Sequence, residues 1–205
     1  YTAAQTLDKM SMYADFHLAG IYRSCRLFSV PATHICRFHA EAILDDGYAD
    51  GVITAYLGVI NESERAGRRA RVRLELRDPE GGLVKLPAGK AEFALDAWQR
   101  ADQTVALPVK TPLHWEAEHP RLYTLTAILI EGTRETERVT RRIGFRKVEI
   151  RGQEFFVNGV KAKLAGACHH DSHPLLGRAV TPELTRRDLE LMKAANLNAV
   201  RTSHY

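Results

Sequence analysis

The sequence predicts a mainly β fold: an antiparallel β-sandwich of immunoglobulin-like type, followed by one β-α-β unit. Three observations carry this reading. Short alternating or compact apolar segments recur from about residue 30 to residue 143, each closed by a turn-forming cluster. One well-capped helix signal, Thr181-Pro182-Glu183, lies late in the chain. That helix is bracketed by two apolar strand segments, each running into a polar loop, as in a parallel pair joined by a crossover.

Residues 1–29 come first. Alternation through Leu27 and Phe28 predicts a strand after Gly20. So short a stretch cannot bury a core of its own, so it is expected to be the tail of a domain that begins earlier. In residues 30–143, Ile35 to Leu44 is closed by Asp45-Asp46-Gly47, and Gly51 to Ile60 by Asn61-Glu62-Ser63. Ala70 to Leu76 alternates as Val72, Leu74, Leu76 and stops at Asp78-Pro79-Glu80-Gly81-Gly82. Gln103 to Val109 alternates as Val105, Leu107, Val109. Leu122 to Ile130 turns at Glu131-Gly132, and Glu137 to Ile143 returns.

Residues 144–205 change character. Phe155 to Val157, then Asn158-Gly159, then Lys161 onward reads as a hairpin, because Asn-Gly suits a turn with positive φ at both central residues. Lys163 to Cys168 is expected to be a short strand, followed by the polar run His169-His170-Asp171-Ser172-His173-Pro174. Leu184, Leu191, Met192 and Ala195 share one face of the helix, which is expected to end near Asn196. Leu197 to Val200 is the second strand, followed by Arg201-Thr202-Ser203-His204-Tyr205.

Bulk composition excludes more than it assigns. The chain has 205 residues, 45% apolar and 26% charged, ordinary values for a globular protein. No apolar run approaches a membrane span, so no membrane partner is expected. Tyr1 opens the chain and no basic-then-apolar leader follows, so no targeting segment is expected. The net charge of +4 is spread among acids, as in Arg134-Glu135-Thr136-Glu137-Arg138, which argues for a solvated strand face and against nucleic acid. Cys25, Cys36 and Cys168 are odd in number and match no zinc spacing, which points to a reducing, cytoplasmic setting.

The chemistry-bearing residues gather in two clusters, His169, His170, Asp171, His173 and Arg201, Ser203, His204. Both follow strands expected to be parallel neighbours, so their loops meet at one end of the sheet, the active-site end in barrels of this type. Imidazole donates or accepts, and guanidinium offers a fork of donors to a carboxylate, so the set suits a hydroxyl-rich ligand. On spacing alone the histidines also read as a solvated loop or a metal site. Adjacent His169 and His170 point apart in an extended chain, which counts against the metal. Arg201 also reads as a salt-bridge partner, and Asp171 as a turn cap.

Several longer motifs now come together. His114-Trp115-Glu116-Ala117-Glu118-His119-Pro120-Arg121-Leu122-Tyr123-Thr124-Leu125 resembles the sandwich-closing signature of family-two glycoside hydrolases of the β-galactosidase type. Gly144 to Ile150 with Phe155 to Gly159 resembles that family's approach to its TIM barrel. His170 to Pro174 resembles the histidine loop after the first barrel strand, and Asn198 to Tyr205 the end of the second. Asp15 to Arg23 resembles the end of the family's jelly-roll domain. Cys168 and His169 replace a frequent asparagine-arginine pair, and Ser172 stands where many members have histidine.

The resemblance implies a jelly-roll end at 1–29, a sandwich at 30–143 and a barrel start at 144–205. It implies a retaining hydrolase of terminal β-D-galactosyl residues. His170 and His204 would stabilise the transition state, and Arg201 would orient the nucleophilic carboxylate. Asp15 would contact sugar and a sodium ion, although the family register falls on Ala14. Magnesium and sodium serve the full-length family, and neither is expected to be completely coordinated by this chain. A retaining mechanism needs two carboxyl groups; the family's two glutamates would lie beyond Tyr205, so the chain alone is expected to be an inactive fragment. Its partners would be a β-galactoside, the rest of its own chain and, where it assembles, further copies as a homo-oligomer. Two alternatives stand beside this reading: a β-glucuronidase of the same family, and a non-catalytic immunoglobulin-like module for carbohydrate binding or adhesion. The capped helix and two site-like loops weigh against the module, since a linker needs neither.

Overall fold

The computed structural model describes residue 21 and residues 23–203. These form two compact units, one of residues 28–162, the other of residues up to 27 together with those from 163 on. The described chain is mainly β, as expected, with a single helix.

In the first unit, β1 (Thr33–Leu44), β2 (Gly51–Asn61) and β6 (Arg100–Val109) form one antiparallel sheet in the order β1-β2-β6. The facing sheet runs β4-β3-β7-β8, from β4 (Leu83–Val84), β3 (Arg68–Arg77), β7 (Tyr123–Glu131) and β8 (Arg134–Ile143). There β5 (Lys90–Leu95) pairs with β3. Alternation explains the packing, because successive side chains of a strand point to opposite faces. Ile53, Ala55, Leu57 and Val59 of β2 are buried, as are Val72, Leu74 and Leu76 of β3 and Leu107 and Val109 of β6. β1 switches phase: Ile35 and Phe38 both face inward because the register shifts between Ile35 and Arg37. Such a bulge lets an odd spacing serve one face.

Beyond β8 the sandwich closes around Phe145, which is fully buried and meets Tyr123 edge-on at 5.0 Å. Trp115 braces this corner. Its N–H donates to the Phe145 carbonyl at 2.8 Å, and Arg146 lies 4.6 Å from its ring centre. A Cβ at Gly144 would come within 2.7 Å of the Trp115 side chain, so only glycine admits the indole. A small antiparallel sheet follows, β9 (Val148–Arg151), β10 (Glu154–Val157) and β11 (Val160–Lys161). The Asn158-Gly159 turn has φ of 51° and 75°, the doubly positive turn the sequence predicts. Asn158 also donates from its amide to the Trp115 carbonyl at 3.0 Å and accepts from the Lys147 N–H at 2.9 Å. The turn residue thereby ties the small sheet to the sandwich corner.

The second unit holds β12 (Gly166–His169), α1 (Pro182–Ala194) and β13 (Ala199–Thr202), with β12 and β13 parallel. Thr181 caps the helix, accepting from the Leu184 N–H, with Pro182 in its first turn. At the other end Asn196 has φ of 59°; its N–H reaches the Lys193 carbonyl and that of Leu197 reaches Met192. This pairing is a Schellman stop with asparagine in the left-handed position.

Four expectations need correction. The described residues of 21–30 contain no strand, and Leu27 and Phe28 are exposed; alternation makes a strand only where a neighbouring edge pairs with it. The strand expected over Lys163 to Cys168 is confined to Gly166–His169, and that expected over Leu197 to Val200 is Ala199–Thr202. One side chain explains both shifts. Asn198 accepts from the Ala165 N–H at 2.8 Å and donates to the Lys163 carbonyl at 2.9 Å, so its amide stands in for ladder pairing before the strands begin. Finally β4, β5 and β9 are additional strands. Ala91, Phe93 and Leu95 give β5 a plain alternating inward face, set in a segment crowded with lysine and glycine.

Two outcomes follow for stability. Leu57 is 1% exposed, and Leu57→Ala is expected to cost about 2–5 kcal/mol in urea unfolding. Val52 of the same strand is 42% exposed, and Val52→Ala is expected to stay within about 0.5 kcal/mol. The hydrogen bond from Tyr48, aided by Arg151, holds Glu149 below the usual carboxylate range. Lys110 does the same for Asp50, Arg100 for Asp102 and Arg138 for Glu135. Depressed carboxylates stabilise above their unfolded pKa of about 4 and lose that contribution as pH falls through their folded values. The melting midpoint of the sandwich is therefore expected to hold from pH 7 to 5 and fall below pH 4, the fall shrinking in high salt.

Candidate active site

The candidate site is built on the parallel ladder. Register pairs Gly166 with Ala199, Ala167 with Val200, Cys168 with Arg201 and His169 with Thr202. A Cβ at Gly166 would lie 2.3 Å from the Ala199 carbonyl oxygen, so glycine alone permits this approach. The Ser203 N–H donates to the His169 carbonyl at 3.1 Å, carrying the pairing one residue past β13. Ser203 is buried.

Alternation then divides the polar residues. His169 turns to the helix, with Nε2 2.9 Å from an Asp188 carboxylate oxygen of α1. Ala167, Val200 and its register neighbour Thr202 share that face by parity. Cys168 and Arg201 therefore lie on the opposite face, as register neighbours, and both are exposed. His170, the next residue, is exposed at the mouth of the same ladder. The sequence reading grouped His169 with His170 as one cluster; the structure gives His169 to the scaffold and leaves His170 with Arg201 at the open end.

The loop after β12 has its own order. His173 and Gly177 exchange backbone hydrogen bonds of 2.8 and 2.9 Å, closing a tight turn, and His173 Nδ1 accepts from the Leu175 N–H at 3.2 Å. Asp171 forms an ion pair with Arg23 at 2.9 Å and stands 3.7 Å from His169 Nδ1. So Asp171, grouped by sequence with the polar cluster and alternatively read as a turn cap, pairs with Arg23 and stands near His169. Among the described residues no three histidine, cysteine, aspartate or glutamate side chains converge as a metal site. His204 and Asp15 lie outside the described residues.

Sequence reasoning passed over Asp188, Asn198 and Arg23. Asp188 had a signal: it interrupts the apolar helix face four residues after Leu184 and four before Met192, where a carboxylate demands a partner. Arg23 had none, since its partner Asp171 lies 148 residues away.

Comparison with known proteins identifies the family. The sequence model "Glycosyl hydrolases family 2" matches residues 33–146, and "Glycosyl hydrolases family 2, TIM barrel domain" matches residues 148–205. A β-galactosidase of Halalkalibacterium halodurans is 34% identical over 194 residues, covering 93% of this chain and 18% of the relative. A β-galactosidase of Staphylococcus xylosus is 32% identical over 190 residues, again 93% of this chain and 17% of the relative. Among solved structures, Bacteroides uniformis β-glucuronidase 2, covalently bound to cyclophellitol-6-carboxylate aziridine, superposes with a TM-score of 0.76 at 25% identity. That match covers 86% of this chain and 22% of the other. The chain thus spans about a fifth of the length of these relatives.

The ladder makes a direct prediction. Gly166→Ala is expected to abolish amide-exchange protection over Gly166–His169 and Ala199–Thr202 while leaving the sandwich's urea midpoint unchanged. Retained protection at the amides that donate across the ladder would show that the close approach at Gly166 does not govern the pairing.

Proposed function

The chain belongs to glycosyl hydrolase family 2, and on that premise we propose that it supplies the sandwich and the first barrel wall of a retaining glycosidase that releases terminal β-D-galactosyl residues. The observation that carries the reading is the in-register ladder. It sets Arg201 beside Cys168 on the face opposite the helix, with His170 at its open end. Strand C-terminal ends in such barrels bear the active site.

The roles follow from chemistry. An oxocarbenium-like transition state strengthens hydrogen bonds to ring hydroxyls, and His170 and His204 are the groups proposed to make them. Arg201 is proposed to orient the nucleophile, since a guanidinium fork fixes a carboxylate's angle as well as its charge. The nucleophile and the acid/base, two carboxyls about 5–5.5 Å apart, are proposed to come from later barrel strands of a longer protein. Magnesium and sodium belong to this reading as ions of that whole enzyme, with Asp15 the residue of this chain proposed toward sodium. Cys25, Cys36 and Cys168 are free and exposed, which fits a reducing, cytoplasmic setting. No described helix is long and apolar enough to cross a membrane.

Galactose is preferred because the relatives sharing 32–34% identity over 93% of the chain are β-galactosidases. Glucuronide is the second reading, favoured by the likeness to the B. uniformis β-glucuronidase.

The test is hydrolysis of nitrophenyl galactoside, glucuronide and mannoside by the complete gene product and by the pure 205-residue chain. Galactoside turnover by the former alone is expected, with His170→Ala lowering kcat/KM by about 10²–10³. Turnover by the isolated chain would refute the assignment of the carboxylates, and preference for the glucuronide would overturn the sugar.

A further inference from the structure

The loop that carries His170 is gripped at both ends by a residue from the far side of the sequence. One Arg23 guanidinium nitrogen donates to Asp171 Oδ2 at 2.9 Å, and the other donates to the Arg178 carbonyl. Arg178 is 155 residues from Arg23 in the chain and is buried. Between these two grips lie Ser172 and the His173–Gly177 turn. Asp171 is also the second acidic neighbour of His169, whose other ring nitrogen is held by Asp188 of α1. A continuous polar chain thus runs from Arg23 through Asp171 and His169 to the helix.

From this we infer that Arg23 is the positioning residue of the histidine loop: its guanidinium fork sets where His170 stands relative to Arg201. The inference rests on the glycosidase reading for its consequence in catalysis, not for the clamp itself. Three features support it. The two acceptors lie at opposite ends of one loop, and a planar fork with several donors is the side chain able to bridge them at fixed geometry. The Arg23 and Asp171 side chains are 45% and 33% exposed, and pairs so exposed add little to global stability, so the contact has geometric value in excess of energetic value. His170 neighbours Asp171 directly in the chain, so a displaced Asp171 carries it along.

The experiment has two arms. In the isolated 205-residue chain, the imidazole Cε1–Hε1 resonances of His170 and His173 are followed in wild type, Arg23→Ala, Arg23→Lys and Asp171→Asn. Both resonances are expected to move and broaden in Arg23→Ala, and to move less in Arg23→Lys, which keeps the charge facing Asp171 but loses the fork. The double variant R23A/D171N is expected to match the worse single variant, the non-additivity of groups that act as a pair. Far-ultraviolet circular dichroism and an unchanged melting midpoint confirm that each variant is folded. Unmoved histidine resonances in folded Arg23→Ala would overturn the clamp.

In the complete gene product the same substitutions are expected to lower kcat about ten- to a hundred-fold, the scale of an ångström's misplacement, with KM changed far less. Unchanged kcat alongside moved resonances would overturn the positioning role. Wild-type protein that hydrolyses none of the three sugars, with resonances still moved by Arg23→Ala, would sink the glycosidase reading and leave the clamp standing.

Discussion

Burial of alternating apolar faces between two antiparallel sheets is the constraint from which the larger unit follows. A strand has period two, so a sheet offers one apolar face and must cover it. Ile53, Ala55, Leu57 and Val59 do this from one sheet, and Val72, Leu74, Leu76, Leu125 and Leu129 from the other. Everything else in residues 28–162 answers to that layer. The bulge in β1 restores phase after an odd spacing. Gly51 and Gly144 are stripped of Cβ so that Phe145 and Trp115 can close the end. The small β9–β11 sheet is then fastened to this closed corner through Asn158 and Tyr48 rather than by a core of its own.

The β12–α1–β13 unit is built on a different principle. Its helix buries none of its residues, and Leu191 is 57% exposed. Where apolar burial is thin, directed polar bonds fix geometry. Asn198 replaces two backbone partners, the Asn196 Schellman turn ends the helix, and His169 spans strand and helix through Asp188. Such bonds contribute roughly 1 kcal/mol each, too little to confer the sandwich's robustness but enough to choose one arrangement among several. A unit specified this way is sensitive to what packs against it.

The sandwich was legible in the sequence because its signal is redundant. Val72, Leu74 and Leu76 alternate, and the structure buries all three. Thr181-Pro182 and Asn158-Gly159 were legible for a different reason, since each encodes a backbone geometry locally. The candidate site was legible only in part. The parallel strand order placed His170 and Arg201 at one end of the sheet, but spacing gave no means of separating His169 from His170. That separation is a matter of register, and register depends on where pairing begins, which Asn198 decides through a side chain that local propensity treats as a turn former. β5 was missed although Ala91, Phe93 and Leu95 alternate, because so short a run among charged residues competes poorly with loop signals.

The separation of the two histidines bears directly on how such a site is held. Adjacent residues on a strand face opposite ways, so one polar pair can serve two functions without either compromising the other. His169, 14% exposed at its side chain, is engaged by Asp188 and stands near Asp171. It is spent on holding β12 against α1. His170, just past the end of β12 and exposed, is the histidine proposed to meet a ligand. On the face opposite His169, Cys168 sets a small, weakly polar thiol beside Arg201, a poor acceptor for a guanidinium fork. By this register, the carboxylate that Arg201 is proposed to orient has to come from an element other than β12.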